Sequence, residues 1–209
     1  MQELYNHNSL FRKKYFENLS NRFIHASLAI EDMYGNLNDT SQALKLYFQS
    51  QALEYAFDID TKEKLTINNI KEIERILTNE QYDNFRTTKV EVNGSKLERA
   101  KPQYIYMEMY QLFDNYYNIW NELDPYLREA MFHIKFLQIH PFEDGNGRTA
   151  RIILIRNLCA NNDIPCVITK EVKKEYYSYI ENYDPEGLAI FLKKLADKEL
   201  DTMTSIYNC

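Results

Sequence analysis

Ile139-His140-Pro141-Phe142-Glu143-Asp144-Gly145-Asn146-Gly147-Arg148-Thr149-Ala150-Arg151 is the stretch that decides the reading of this chain. It lies between two segments with helical periodicity. Upstream, Leu127, Met131, Ile134 and Leu137 recur every three to four residues, and Asp124-Pro125 supplies a capping carboxylate followed by proline at the first helical position. Downstream, Ile152, Ile155, Leu158 and Cys159 mark a second helix from about 147 to 161. His140 stands at the exit of the first helix, because a following proline disfavours helical geometry at the residue before it. Its imidazole is thereby free to face a cleft. Gly145-Asn146-Gly147 opens the second helix with successive backbone N–H groups, an anion nest to which the helix dipole adds positive potential. Arg148 and Arg151, three apart, share one helix face, and two guanidiniums beside a nest of amides suit a polyphosphate. Asp144 is a natural ligand for Mg²⁺ bridging phosphates. Singly, each residue fits a plain helix–loop–helix corner. Together, in this order, they read as a base, a metal ligand and a phosphate cradle.

Working outward, most of the chain reads as helix. Thr66 caps a segment with Ile67, Ile70, Ile73 and Leu77 on one face, and Asp184-Pro185 repeats the cap signal before Leu188, Phe191, Leu192 and Leu195. Further helical stretches are expected over 11–25, 41–57, 103–120 and 170–182. One segment differs: 86–99 alternates and carries Asn93-Gly94, a strong hairpin signal. It predicts a two-stranded flap that must lean on the helices, since an isolated hairpin is marginal. No repeat, low-complexity tract or linker interrupts the pattern, so the expectation is a mainly α, single domain over 1–209.

Composition narrows the function. The chain has 209 residues, with 25 Lys and Arg against 31 Asp and Glu, a net charge of −6 that gives no general attraction to nucleic acid or anionic lipid. Aromatic residues make up 14%, which excludes a disordered chain. Three cysteines without a CxxC pair do not form a disulfide framework. The N-terminal stretch has no apolar core of signal-peptide length, and the longest aliphatic run, Ile152 to Ile155, cannot span a membrane. A soluble, cytoplasmic protein without nucleic-acid or membrane partners is expected. P-loop, dinucleotide-binding, zincin and nucleophile-elbow motifs are all absent. A calcium loop starting at Asp144 fails, because Arg148 and Ile155 fall where oxygen ligands are required.

Residues 140–151, HPFEDGNGRTAR, resemble the Fic signature HPFx[DE]GNGRxxR without a mismatch, and the flanking helices are also similar to that family over roughly 20–200. The resemblance implies a Fic-type helical core with a short β-hairpin flap. It implies transfer of AMP from ATP to a Ser, Thr or Tyr hydroxyl of a protein, the chain itself included, with Mg²⁺. By resemblance His140 is the general base, Asp144 holds Mg²⁺, and Gly145, Asn146 and Gly147 bind the α- and β-phosphates. Arg148 and Arg151 hold the distal phosphates, and Phe142 anchors the loop. Tyr176 and Tyr177 are candidates to flank an adenine ring, with a Tyr-rich core helix as the alternative reading. The flap, around Lys89 to Leu97, would add a strand to an extended segment of the target. The signature does not fix the nucleotide donor, and removal of AMP from a modified protein at the same site is the alternative activity. A non-catalytic interaction module is a third reading, against which the intact base and arginines stand. A homo-oligomer stays open. Ser27-Leu-Ala-Ile-Glu31-Asp32 is similar to the inhibitory motif [ST]xxxE[GN] of that family, departing at Asp32. It places an inhibitory helix at about 20–35, ahead of a core at about 40–200. Glu31 is expected to pair with Arg151 where a γ-phosphate would be held. His7, His25 and His133 read as structural.

Overall fold

Helix caps set the boundaries of the architecture. The computed structural model describes residues 8–33, 40–59, 63–81, 84–91, 95 and 97–208. Its helices are α1 (Ser9–Ile30), α2 (Thr40–Asp58), α3 (Ile67–Thr78), α4 (Ile105–Asp114), α5 (Pro125–Ile139), α6 (Asn146–Ala160), α7 (Lys173–Glu181) and α8 (Pro185–Tyr207). Thr66 accepts from Asn69 N while Asn69 reaches back to the Thr66 backbone, a reciprocal box that starts α3. Asp124 and Asp184 accept from the first turns of α5 and α8, each followed by proline. The stretch expected over 11–25 is longer, reaching Ile30. The stretch over 103–120 is composite: a 3₁₀ turn at Pro102–Tyr104, then α4, then a π turn at Asn115–Ile119. No described helix is long and apolar enough to cross a membrane.

α6 is the axis. Every residue from 148 to 158 is buried, so the helix is enclosed on all sides. Ile153, Leu154 and Leu158 belong to a cluster with Phe136 of α5, Ile180 of α7 and Leu192 of α8. Ile152 and Ile155 belong to a second cluster with Leu19 of α1, Leu53 of α2, Ile73 of α3 and Met203 of α8. Each fully buried Leu, Ile or Phe contributes roughly 1.5–3 kcal/mol relative to exposure. Enclosure also traps Arg148, Arg151, Arg156 and Asn157 inside the protein, where polar groups need partners.

The expected hairpin is not seen among the described residues. Residues 84–91, 95 and 97–101 carry no strand, and the Asn93-Gly94 turn lies outside the described residues. The carbonyls of Thr88 and Ala100, on the two arms of the segment, accept from the guanidinium of Arg86 instead of a facing strand. Phe85 packs on Phe142 and Tyr106, so the segment leans on the helical core.

A buried carboxylate inside the bundle makes a testable case. Glu129 of α5 is 1% exposed and accepts from Tyr116 Oη and Asn157 Nδ2. Burial raises its pKa to about 7, against the two donors that favour the charged form. A carboxyl raised in the folded state stabilises at low pH and loses that contribution as pH climbs from about 4.5 through about 7. The loss amounts to roughly 3 kcal/mol at most. Glu129→Gln removes the titration while keeping shape. Its melting temperature relative to the parent is expected to improve from pH 5 to pH 8; a difference independent of pH would remove Glu129 as the titrating group.

Candidate functional site

The loop from α5 to α6 is built to hold one backbone shape. α5 ends at His140, which adopts φ 51 and ψ 63, a left-handed conformation that costs a non-glycine residue of order 1–3 kcal/mol. Neighbours enforce it. His140 N donates to Phe136 O at 2.9 Å, His140 O accepts from Arg86 Nε at 2.6 Å, and Pro141 O accepts from Arg86 N at 2.9 Å. Phe142 is 1% exposed and packs between Phe85 and Phe136. Asn146 closes the loop from inside: Phe142 N donates to its Oδ1 at 3.0 Å, and its Nδ2 donates to Phe142 O at 2.8 Å. Its side chain is therefore a clamp, which leaves only its backbone N–H for the nest. Gly145 has φ +77, and an added Cβ would press on Thr78 and Glu74 of α3, so glycine is required there.

His140 presents a neutral ring. Its Nδ1 is buried toward the Leu137 carbonyl without closing a hydrogen bond of ordinary geometry. Burial pushes the imidazole pKa down to about 4, and the Arg99 cation pushes in the same direction. The Arg99 guanidinium donates to Leu137 O at 2.8 Å and to Ser95 Oγ at 2.7 Å. At neutral pH the imidazole carries a lone pair able to take a proton, as a general base needs.

The N-terminus of α6 faces a carboxylate. A Cβ on Gly147 would stand 2.5 Å from Glu31 Oε1 and 3.2 Å from Arg151 Nη1, so only glycine lets an anion approach this close. Arg151, 2% exposed, donates Nη2 to Glu31 Oε1 at 2.8 Å and to Ser27 O at 3.0 Å, and Nε to Ser27 Oγ at 3.0 Å. Nη1 is buried without a partner of ordinary geometry, a donor left over beside the helix N-terminus. His133 Nε2 meets Tyr176 Oη at 2.6 Å behind the guanidinium, and burial with the Arg151 charge holds the His133 pKa down at about 3. Tyr176 and Tyr177 both line the cavity; Tyr176 is fully buried in its wall, and Tyr177 is half-buried.

That cavity has a volume of about 700 Å³. His140, Gly147 and Glu31 share it with an apolar wall from Ile30, Leu137, Tyr177 and Ile180, and with Arg99 and Lys173. The two arginines of the second helix do not converge. Arg151 reaches α1, whereas Arg148 reaches the end of α3, donating to Leu77 O at 3.4 Å and to Asp144 Oδ2 at 3.1 Å. Asp144 also accepts from Gly145 N at 2.6 Å, and its side chain is 69% exposed. Among the described residues no cluster of three or more His, Cys, Asp or Glu stands ready to hold a metal. A lone exposed carboxylate beside an amide nest suits an ion that takes its other ligands from a nucleotide and water, the habit of Mg²⁺. Asp32 follows Glu31 at φ +53 and pairs with Lys170 and Lys173 at 2.8 and 2.9 Å, which hold its pKa down at about 2.

Sequence reasoning missed Arg86, Arg99 and Glu74. Glu74 lies under Gly145 with its pKa raised to about 7 by burial and the nearby charges of Asp144 and Glu80. None belongs to a motif, and the contacts that bring Arg86 and Arg99 to the site are to backbone carbonyls far along the chain.

Comparison with known proteins agrees with the geometry. Residues 64–158 match the Fic/DOC family model. The chain is 30% identical over 143 residues to protein adenylyltransferase fic-1 of Caenorhabditis briggsae, an alignment covering 64% of this chain and 27% of that protein. It is 35% identical over 75 residues to protein adenylyltransferase Fic of Culex quinquefasciatus, covering 36% of this chain and 15% of that protein. The chain thus spans about a quarter of the length of the first of these relatives. Among solved structures, a Fic-domain-containing signaling protein from Bacteroides thetaiotaomicron superposes with a TM-score of 0.78 at 21% identity, over 95% of this chain and 90% of that one. Fic-1 of C. elegans superposes with a TM-score of 0.78 at 20% identity, over 99% of this chain and 68% of that one. The segment 64–158 therefore carries the match to the Fic/DOC family, on the residues that build the site.

Proposed function

We propose that this chain is a protein adenylyltransferase that moves AMP from ATP to a hydroxyl of a protein Ser, Thr or Tyr, itself included, and that Glu31 restrains it. The observation that carries the reading is one cavity holding a neutral imidazole and a helix N-terminus whose Gly147 lies against a carboxylate. That carboxylate stands in for a phosphate toward Arg151, a mimicry that guanidinium pairing favours. The names of the relatives support adenylylation in general. ATP would lay its phosphates along the N–H groups of 145–147, with its terminal phosphate on Arg151. Mg²⁺, when bound, neutralises charge on the phosphates, and Asp144 is the residue that would hold it. As the target oxygen attacks the α-phosphorus, His140 Nε2 takes the hydroxyl proton. The new O–P bond forms while the bond to the α–β bridging oxygen breaks, and pyrophosphate leaves with that electron pair. Free Cys159 and Cys166 fit the cytoplasmic setting that belongs to this reading.

His140→Ala is expected to lower transfer by ~10²–10⁴ while calorimetry still finds ATP binding. The active form is the neutral ring, and its pKa is lowered from 6.5 to about 4. Initial rates are therefore expected to stay level as pH falls through 6.5 and to drop only on approaching about 4. An acid limb centred at the ordinary histidine value would contradict the buried, Arg99-flanked imidazole, and full activity in His140→Ala would remove the base assignment.

Glu31→Gly is expected to raise self-modification by roughly one to two orders of magnitude, since a misplaced α-phosphate costs ~10²-fold. The same change leaves the Arg151 charge buried without its carboxylate. Its melting temperature is expected to fall and to recover with ATP, as binding to the folded state requires. Mass spectrometry for added AMP and a thermal melt with and without ATP check both. Equal rates in parent and variant would return Glu31 to a structural role. Glu31 also lines the cavity with His140, where it could orient a water. Release of AMP from a pre-adenylylated protein by the parent, lost in Glu31→Gly, would favour the hydrolytic activity instead.

A further inference from the structure

Arg86 is 4% exposed, with no ion pair among the described residues. Its guanidinium is used up on carbonyls. Nε donates to His140 O at 2.6 Å, Nη1 to Thr88 O at 2.6 Å, and Nη2 to Ala100 O at 2.5 Å and Ile139 O at 3.3 Å. Two of these carbonyls belong to the C-terminal end of α5, where helix carbonyls lack intrahelical partners and the dipole favours a cation. The other two belong to the arms of the segment between 84 and 101. A burial this complete needs a compensating arrangement, because an isolated buried cation is strongly disfavoured. One planar fork thus joins the residue proposed as base to both arms of the neighbouring segment. Lysine, with a compact ammonium and no fork, cannot reproduce four directed bonds.

We propose that Arg86 is a positioning residue, which aligns the imidazole of His140 by gripping the His140 carbonyl and makes that alignment depend on how residues 84–91 and 97–101 are held. His140 is in a left-handed conformation with its own carbonyl in the grip, so a shift of the Thr88 or Ala100 arm is delivered to the backbone that aims the ring. Thr88 Oγ1 also donates to Glu143 Oε1 at 2.7 Å, a second tie between this arm and the loop after His140. The catalytic consequence rests on the adenylyltransferase reading; the alignment itself does not.

The test uses the full chain with Glu31→Gly as the parent, adding Arg86→Gln or Arg86→Lys. Self-modification is expected to lose ~10–10² in kcat for Arg86→Gln, with KM for ATP and ATP affinity by calorimetry little changed. Arg86→Lys is expected to fall between Gln and the parent, and serves if the Gln variant does not fold. The activity-independent readout is the imidazole ¹⁵N spectrum, with the His140 signals assigned by their loss in His140→Ala. Those signals are expected to move in both Arg86 variants, while those of His133, in the core behind Arg151, stay in place. An unchanged kcat in a folded Arg86 variant overturns the proposal, as does a loss confined to ATP binding. If the parent transfers no AMP, the functional reading fails and the spectrum alone decides: unmoved His140 signals overturn the positioning role, and selectively moved ones uphold it.

Discussion

One buried charge organises this molecule. Arg151 is 2% exposed near the start of a helix that is itself enclosed, and an unpaired guanidinium there would be strongly disfavoured. Ser27, Glu31 and Tyr176 sit around it because it must be satisfied. α1 is thus attached to the core through a charge as well as through Leu19 and Phe23. The same requirement sets what can compete at the site. The partner that satisfies the guanidinium is a carboxylate on a separate helix, 28% exposed at the edge of a cavity, so a competing anion can reach it. Any phosphate that takes this place meets a site already shaped for negative charge, with Gly147 leaving the approach open.

Much of this was legible because the information is local. The caps at Thr66, Asp124 and Asp184 and the run from His140 to Arg151 depend on residues within four positions of one another. The pairing of Glu31 with Arg151 spans 120 positions and was legible only through its resemblance to a motif. Where the reading departs from the structure, a non-local constraint intervenes. Arg148 and Arg151 read as sharing one helix face, but in the fully buried α6 they reach different partners, α3 and α1. Asn146 reads as a member of a backbone nest between two glycines; its side chain takes a second role the sequence did not announce, clamping Phe142. Tyr176 lines the cavity beside Tyr177 while its hydroxyl is tied to His133 inside the core, a contact 43 positions away that no local pattern announces.

Arg86 was illegible for a deeper reason. Its acceptors are backbone carbonyls, and a carbonyl has no residue type. No spacing or composition signal announces that a guanidinium will meet Thr88, Ala100, Ile139 and His140 together. The same bonds bear on the hairpin reading. Asn93-Gly94 is a valid turn signal, but a ladder needs facing N–H and C=O groups, and the carbonyls of Thr88 and Ala100 face the fork.

The departure of Asp32 from the inhibitory pattern has a physical account of its own. The residue after Glu31 ends α1 with φ +53, a conformation that glycine and asparagine enter most readily and aspartate enters at modest cost. That explains why glycine and asparagine suit the position and why this chain can do without either. Aspartate adds what they cannot: ion pairs to Lys170 and Lys173, the second of which lines the cavity. These groups are largely exposed, so each pair adds little and is screened by salt. Their value lies in placement. They hold the end of α1 against the start of α7, next to the carboxylate that occupies Arg151. A helix fastened on both sides of Glu31, by Ser27 within the core and by Asp32 at the rim, has less freedom to swing that carboxylate away than one fastened by Glu31 alone.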